Sequence, residues 1–155
     1  MNVSVASDLV RYFEDFEPGE KVELGAVTVT EDEIVEFGRR YDPQSFHTDP
    51  EAAKDGPFGG LVASGWHTAA LFMGLLVRTL LVDAASLGSP GVEELRWTAP
   101  VRPGDTLHGR VTITDVQPSS TNAGRGTVFT TSEMRNQDGV IVMTVRARTF
   151  FARRP

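Results

Sequence analysis

The 155-residue sequence contains no cysteine, which excludes disulfide bonds, a thiol nucleophile and thiolate metal sites. Basic residues are also in deficit, because 15 Lys and Arg against 21 Asp and Glu leave a net charge of −6 and a pI near 5.0. A nucleic acid or an anionic membrane surface requires a basic face on its partner. We therefore expect neither as a partner of this chain.

Long apolar segments are scarce as well. The N-terminus lacks an apolar stretch flanked by positive charge, so no signal peptide is expected. One apolar segment runs from Ser64 to about Ala85, but His67, Arg78 and Asp83 interrupt it, which argues against a membrane span. The segment is typical of a long helix buried in a core, and the protein is expected to be cytoplasmic.

Residues 1–155 are expected to form a single domain, since a chain of this length supports one core and not two. Lys21–Val29 predicts a strand with a bulge at Gly25, and residues 94–99, 107–113 and 141–148 alternate apolar with polar side chains. Asn136–Gly139 predicts a hairpin. One long helix and about five antiparallel strands predict an α+β domain whose sheet curls around the helix.

The stretch between the first strand and the long helix carries the local signals. Thr30 and Glu33 have the capping-box spacing of a helix that ends near Arg40. Asp42 precedes a proline, which disfavours further helix and predicts a loop as far as Phe46. Asp49-Pro50 is typical of the N-cap and first residue of another short helix.

Asp42 and His47 are the candidate reactive side chains. A carboxylate and an imidazole that hold one water can make both proton transfers when water adds to a carbonyl-activated double bond. Gly65 follows the predicted N-cap Ser64, and its N–H has no intrahelical acceptor, so it can bind the developing oxyanion. Ser64 lacks the Gly-x-Ser-x-Gly context of a serine nucleophile.

These residues resemble a known family. The string Asp42-x4-His47-x-Asp49-Pro50, followed by Pro57-Phe58-Gly59-Gly60 and Ser64-Gly65, is similar to the MaoC-type (R)-specific enoyl-CoA hydratases. Tyr12–Phe16, Arg96-Trp97 and Val101–Asp105 extend the resemblance over nearly the whole chain. Gln44 and Ser45 stand where the family usually has Asn-Pro, which resembles a dehydratase-like branch and leaves the substrate open.

The resemblance implies the hot-dog fold, in agreement with the strand pattern. It also implies hydration of a trans-2-enoyl-CoA to an (R)-3-hydroxyacyl-CoA, or the reverse reaction. Asp42, His47 and Gly65 are then catalytic, and no cofactor is needed because coenzyme A is part of the substrate. At Met73 some relatives carry a serine, so a more apolar acyl pocket is expected. The expected substrate contacts are Ser64, Phe58, Gly59, Gly60, Trp66 and Met73.

Alternatives remain at this point. A hot-dog domain can also be an acyl-CoA thioesterase or a non-catalytic acyl-CoA-binding module. Asp42, His47 and Asp49 can be imagined as metal ligands, but no second histidine has a suitable spacing, so no metal is expected.

Three further points concern partners and neighbours of the site. Open sheet edges predict a homodimer, or a larger assembly of dimers. His67 lies either near the site or simply packed in the core. Which basic residues meet the phosphates of coenzyme A stays open among Arg102, Arg125, Arg153 and Arg154.

Overall fold

The computed structural model describes residues 10–155, so most of the N-terminal stretch examined for a signal peptide lies outside it. Five antiparallel strands form one sheet in the order β1-β3-β4-β5-β2, which confirms the predicted strand number and fold class. The strands are β1 (Lys21–Thr28), β2 (Val92–Trp97), β3 (Thr106–Pro118), β4 (Arg125–Arg135) and β5 (Ile141–Ala152).

Within the described residues, the four α-helices lie between β1 and β2 in the chain. A 3-10 turn at Phe13–Asp15 comes first, and a π-helical segment at Val77–Leu81 follows the longest helix. The α-helices are α1 (Glu31–Tyr41), α2 (Ser45–Thr48), α3 (Pro50–Ala53) and α4 (Gly65–Leu76). The region predicted as a loop after Asp42 therefore contains the single-turn helix α2. Among residues 10–155, no helix is long and apolar enough to cross a membrane.

Strand β1 bends where the sequence predicts a bulge. Its pairing with β3 shifts between Glu23 and Gly25, and Gly25 has a φ of 81°, a conformation that favours glycine. The carbonyl of Leu24 at this bulge accepts a hydrogen bond of 2.9 Å from Thr79 Oγ1. The bulge thus ties the edge of the sheet to the segment that follows α4.

The predicted long helix is shorter than expected. Regular α-helix ends at Leu76, and the chain continues as a π-helical segment to Leu81 instead of running to Ala85. The wider turn brings Thr79 to the bulge of β1, and a π-helical turn is one way for a helix to change its register without breaking.

Helix α4 buries one side against β1 and β3. Thr68, Phe72 and Leu75 are buried on that side, and the core also contains Leu107, Val111 and Ile113 of β3. The opposite side is open in the single chain, because Trp66 is 60% exposed and Met73 is 48% exposed. The helix is expected to be buried in the core, and in the single chain this holds for one of its sides only.

Candidate active site

Helix α1 ends directly before Asp42 and so positions this first residue of the site. Thr30 and Glu33 form the predicted capping box, with hydrogen bonds of 3.2 and 3.1 Å between side chain and backbone. At the other end, the Asp42 N–H donates to the Gly38 carbonyl over 2.9 Å. A Cβ atom at Gly38 would lie 2.5 Å from the carbonyl oxygen of His47, so only glycine lets α2 pack this closely on α1. Gly38 therefore helps to bring His47 back towards Asp42.

The two predicted reactive side chains meet. His47 Nε2 lies 3.2 Å from Asp42 Oδ2, and His47 Nδ1 lies 2.6 Å from the carbonyl oxygen of Val62. Because a carbonyl only accepts, Nδ1 carries a proton. Nε2 faces a carboxylate oxygen of Asp42, so a proton at Nε2 would lie between the imidazole and the carboxylate.

Two further residues hold the carboxylate of Asp42. Gln44 Nε2 donates to Oδ1 and Ser64 Oγ donates to Oδ2, each over 2.8 Å. Burial raises the pKa of Asp42, but the hydrogen bonds from Gln44 and Ser64 and the charge of His47 outweigh it and leave the pKa below its ordinary value. Asp42 is therefore ionised at neutral pH. Sequence reasoning assigned Ser64 to the helix cap and gave Gln44 no role.

Gly65 lies at the start of α4, as predicted. Ser64 Oγ accepts from the Trp66 N–H over 3.3 Å, and its carbonyl accepts from His67 and Thr68 over 3.0 and 3.1 Å. Ser64 is thus the predicted N-cap. Among residues 10–155, nothing accepts a hydrogen bond from the Gly65 N–H. That group is one of the orphan donors of a helix N-terminus and favours negative charge.

Asp42, His47, Ser64 and Gly65 border one cavity of about 490 Å³, which we call the dyad cavity. Aromatic side chains make up much of its remaining wall, and they are Phe46, Phe58, Trp66 and Trp97. A hydrogen-bond donor for a negatively charged oxygen and an acid–base pair therefore border the same cavity. This arrangement can polarise a carbonyl oxygen while protons move at neighbouring carbons.

A second cavity, of about 380 Å³, lies between α4 and the sheet, and we call it the apolar cavity. Met73 borders this cavity and not the dyad cavity, whereas Trp66 borders both. Gly59 and Gly60 border neither, since Gly59 makes a turn with φ of 67° and Gly60 faces Arg102. Of the expected substrate contacts, the structure brings Phe58, Ser64 and Trp66 to the reactive pair.

His67 is packed beside the site and not within it. It is 6% exposed, its ring stacks on Phe37 at a centroid distance of 4.8 Å, and it borders neither cavity. Burial lowers the pKa of His67, and the negative charge of Glu33 opposes that shift only in part. His67 Nδ1 has no hydrogen-bond partner within residues 10–155. The packed interpretation is the one that this geometry favours.

Asp49 has a structural task. Its Oδ1 accepts from the N–H groups of Glu51 and Ala52 over 3.0 and 3.1 Å, which confirms the predicted cap. No group of three His, Asp or Glu side chains in the described part of the chain has the arrangement of a metal site.

The arginines considered for phosphate binding are placed differently from one another. Arg153 pairs with Glu14 and Arg154 pairs with Asp15, so both guanidinium groups have carboxylate partners. Arg102 donates to the carbonyl of Phe58 over 2.7 Å. Because Phe58 borders the dyad cavity, Arg102 lies beside the wall of the site. Arg125 instead lies over the ring of Phe150, 4.2 Å from its centroid.

Known proteins resemble this chain in sequence and in architecture. The chain is 34% identical over 119 residues to 3-hydroxyacyl-thioester dehydratase Z of Mycobacterium tuberculosis, covering 75% of this chain and 79% of that protein. It is 32% identical over 119 residues to an (R)-specific enoyl-CoA hydratase of Rhodospirillum rubrum, covering 73% and 77%.

The fold has solved counterparts as well. A crystal structure of a MaoC-like dehydratase from Rhodospirillum rubrum superposes with a TM-score of 0.85 at 39% identity, covering 93% of this chain and 98% of that one. The sequence model of the family described as the MaoC like domain matches residues 15–136, from the 3-10 turn to the end of β4. The chain therefore belongs to the MaoC-like family of hot-dog domains, to which hydratases and dehydratases also belong.

Proposed function

We propose that this protein hydrates trans-2-enoyl-CoA thioesters to (R)-3-hydroxyacyl-CoA, or catalyses the reverse dehydration. The observation that supports this most directly is the common cavity of the Gly65 N–H and the Asp42–His47 pair. A thioester oxygen bound at Gly65 places the adjacent double bond near the acid–base pair. The chemistry then requires no group beyond this chain and its substrate.

We infer that the pair acts with a proton on His47 Nε2 and with Asp42 ionised. Asp42 accepts a proton from water as the water oxygen bonds to C3 of the enoyl group. The π electrons move towards the thioester oxygen, which Gly65 N–H stabilises, and His47 Nε2–H protonates C2. Asp42 then returns a proton to Nε2 across the 3.2 Å contact, so one water has been added and the pair is restored. Both transfers occur on one face of the alkene, which gives syn addition.

The direct test is a panel of enoyl-CoA and saturated acyl-CoA thioesters. Loss of the conjugated double bond and release of free thiol are followed in parallel on the same samples. We expect alkene loss without thiol release. Thiol release alone would instead identify a thioesterase, and binding without either reaction would identify an acyl-CoA-binding module.

Removing the amide of Gln44 is expected to move the acid limb of the kcat/KM profile to higher pH. Gln44→Ala deletes the donor to Asp42 Oδ1, so the lowered pKa of Asp42 rises towards its ordinary value. The carboxylate is the active form, and activity is lost as pH falls through its pKa. A variant with a higher Asp42 pKa therefore loses activity at a higher pH. Turnover at neutral pH is retained, since Asp42 is ionised there in both proteins.

The matched control is Gln117→Ala. Gln117 donates to Asp115 over 2.8 Å with the same spacing in sequence, at the exposed end of β3 and away from the dyad cavity. Its loss leaves the acid limb in place. An identical acid limb in wild type and Gln44→Ala would show that Asp42 does not govern the low-pH loss of activity.

We also propose a homodimer, or an assembly of such dimers, paired through the free edge of β2. That edge exposes Val92 at 58% and Trp97 at 44%, next to the exposed Trp66 of α4. Open apolar edges favour association. Sedimentation at micromolar concentration is expected to give a dimer, and Val92→Lys is expected to give more monomer. Monomer alone in the wild type would contradict this.

We also propose, from the sequence, that the protein is located in the cytoplasm.

A further inference from the structure

Trp66 stands between the two cavities. Within residues 10–155 it is the residue that borders both the dyad cavity and the apolar cavity. The first contains the reactive pair, and the second is walled by side chains such as Phe72, Leu76 and Leu95. An acyl chain that reacts in the first and extends into the second must pass the indole of Trp66.

The indole of Trp66 packs against a neighbouring ring. Trp66 meets Trp97 edge to face, at a centroid distance of 5.0 Å and an interplanar angle of 78°. Trp97 in turn lies directly over the α-carbon of Gly65, where a Cβ atom would overlap its ring carbons. Trp97 therefore cannot move closer to the helix start. We take the space beside Trp66, whose side chain is 60% exposed, as the passage between the two cavities.

We propose that Trp66 makes the enzyme selective for acyl groups that are unbranched next to the reacting carbons. The inference rests on the proposed function. Trp66 directly follows Gly65, which binds the thioester oxygen, so the carbon just beyond C3 is the part of the chain that meets the indole. A methyl branch at C4 requires space that the ring occupies. Branches farther along the chain lie in the apolar cavity and are tolerated.

The experiment compares two substrates on each variant of the full chain. They are trans-2-pentenoyl-CoA and 4-methyl-trans-2-pentenoyl-CoA, which differ by one methyl group at C4. The readout is the ratio of kcat/KM for the branched to the unbranched thioester. This ratio is independent of the fraction of folded enzyme, so a partly unfolded variant is still informative. One methyl group in a fitted apolar site discriminates by roughly 10–200-fold.

We expect wild type to prefer the unbranched substrate and Trp66→Ala to raise the ratio roughly tenfold or more. Trp66→Phe, which keeps an aromatic ring of smaller size, gives an intermediate ratio. Met73→Ala is the control, because it enlarges the apolar cavity without bordering the dyad cavity. Its ratio stays at the wild-type value, although its preference for longer chains changes.

Three results would overturn the inference. Equal ratios in wild type and Trp66→Ala mean that the indole does not control access, while the proposed function stands. An equal rise in Met73→Ala means that the selectivity arises in the apolar cavity and not at the passage. If wild type hydrates neither thioester, the proposed function fails and this inference fails with it.

Discussion

Asp42→Asn is expected to lower kcat by roughly 10²–10⁴-fold, the range for a lost general acid or base. The amide keeps the shape of the side chain and can still bond with Gln44 and Ser64, whereas the charge that accepts a proton from water is gone. The affinity for the thioester should hardly change, because Asp42 is not expected to contact coenzyme A. The measurements are kcat, the Kd of a saturated acyl-CoA and Tm on the same protein.

Two substitutions at His47 separate its chemistry from its packing. In His47→Asn the amide nitrogen lies near the position of Nδ1 and can still donate to the Val62 carbonyl, but Nε2 is lost. We expect Tm close to wild type and a kcat as low as that of Asp42→Asn. In His47→Gln the amide lies near the position of Nε2 instead, so the bond to the Val62 carbonyl is lost. Because His47 is buried, we expect Tm to fall in this variant.

The double variant Asp42→Asn/His47→Asn should be little worse than the poorer single variant, since groups that act as a unit are not additive. Asp115→Asn provides the control for removing one surface carboxylate that also accepts from a glutamine. Full turnover in Asp42→Asn would refute the proposed mechanism. Losses that multiply and run parallel to falling Tm would instead assign the pair a structural role.

The parts of the site that the sequence predicts are those with local causes. The capping box at Thr30, the cap at Asp49 and the helix start at Ser64 each follow from residues within one turn of helix. The strand pattern gives the sheet for a similar reason, because alternation reports which face of a strand is buried. The pairing of Asp42 with His47 was expected from spacing together with the family resemblance.

Several contacts that the sequence did not predict join residues far apart in the chain, although the bond from Gln44 to Asp42 is a local one. The bond from Ser64 to Asp42 spans 22 residues, and the packing of Trp97 on Gly65 links β2 to α4. Neither leaves a periodic signal. The end of α4 is similar, since the segment that follows it places Thr79 at the bulge at Leu24, 55 residues earlier. Local propensity carries no information about such partners.

The packing of Trp97 changes how Gly65 must be tested. A larger side chain at Gly65 would crowd a thioester oxygen bound there, but its Cβ would first overlap the indole of Trp97. Gly65→Ala therefore displaces a ring that borders the dyad cavity, and a loss of activity would not report on the N–H. A Trp97→Ala background removes the ring atoms that a Cβ at Gly65 would overlap. Adding Gly65→Ala there is expected to change kcat only slightly, since alanine keeps the N–H.

In that same background, Gly65→Pro is expected to lower kcat by roughly 10²–10³-fold relative to Gly65→Ala, the usual effect of removing one oxyanion donor. Proline removes the N–H and puts a ring carbon in its place, and it is well tolerated at the first position of a helix, where that N–H has no intrahelical partner. The preceding Ser64 has φ −56° and ψ 140°, an extended conformation that is compatible with a following proline. Tm of the two variants should therefore be similar. Equal kcat in both would exclude the Gly65 N–H as the group that stabilises the thioester oxygen.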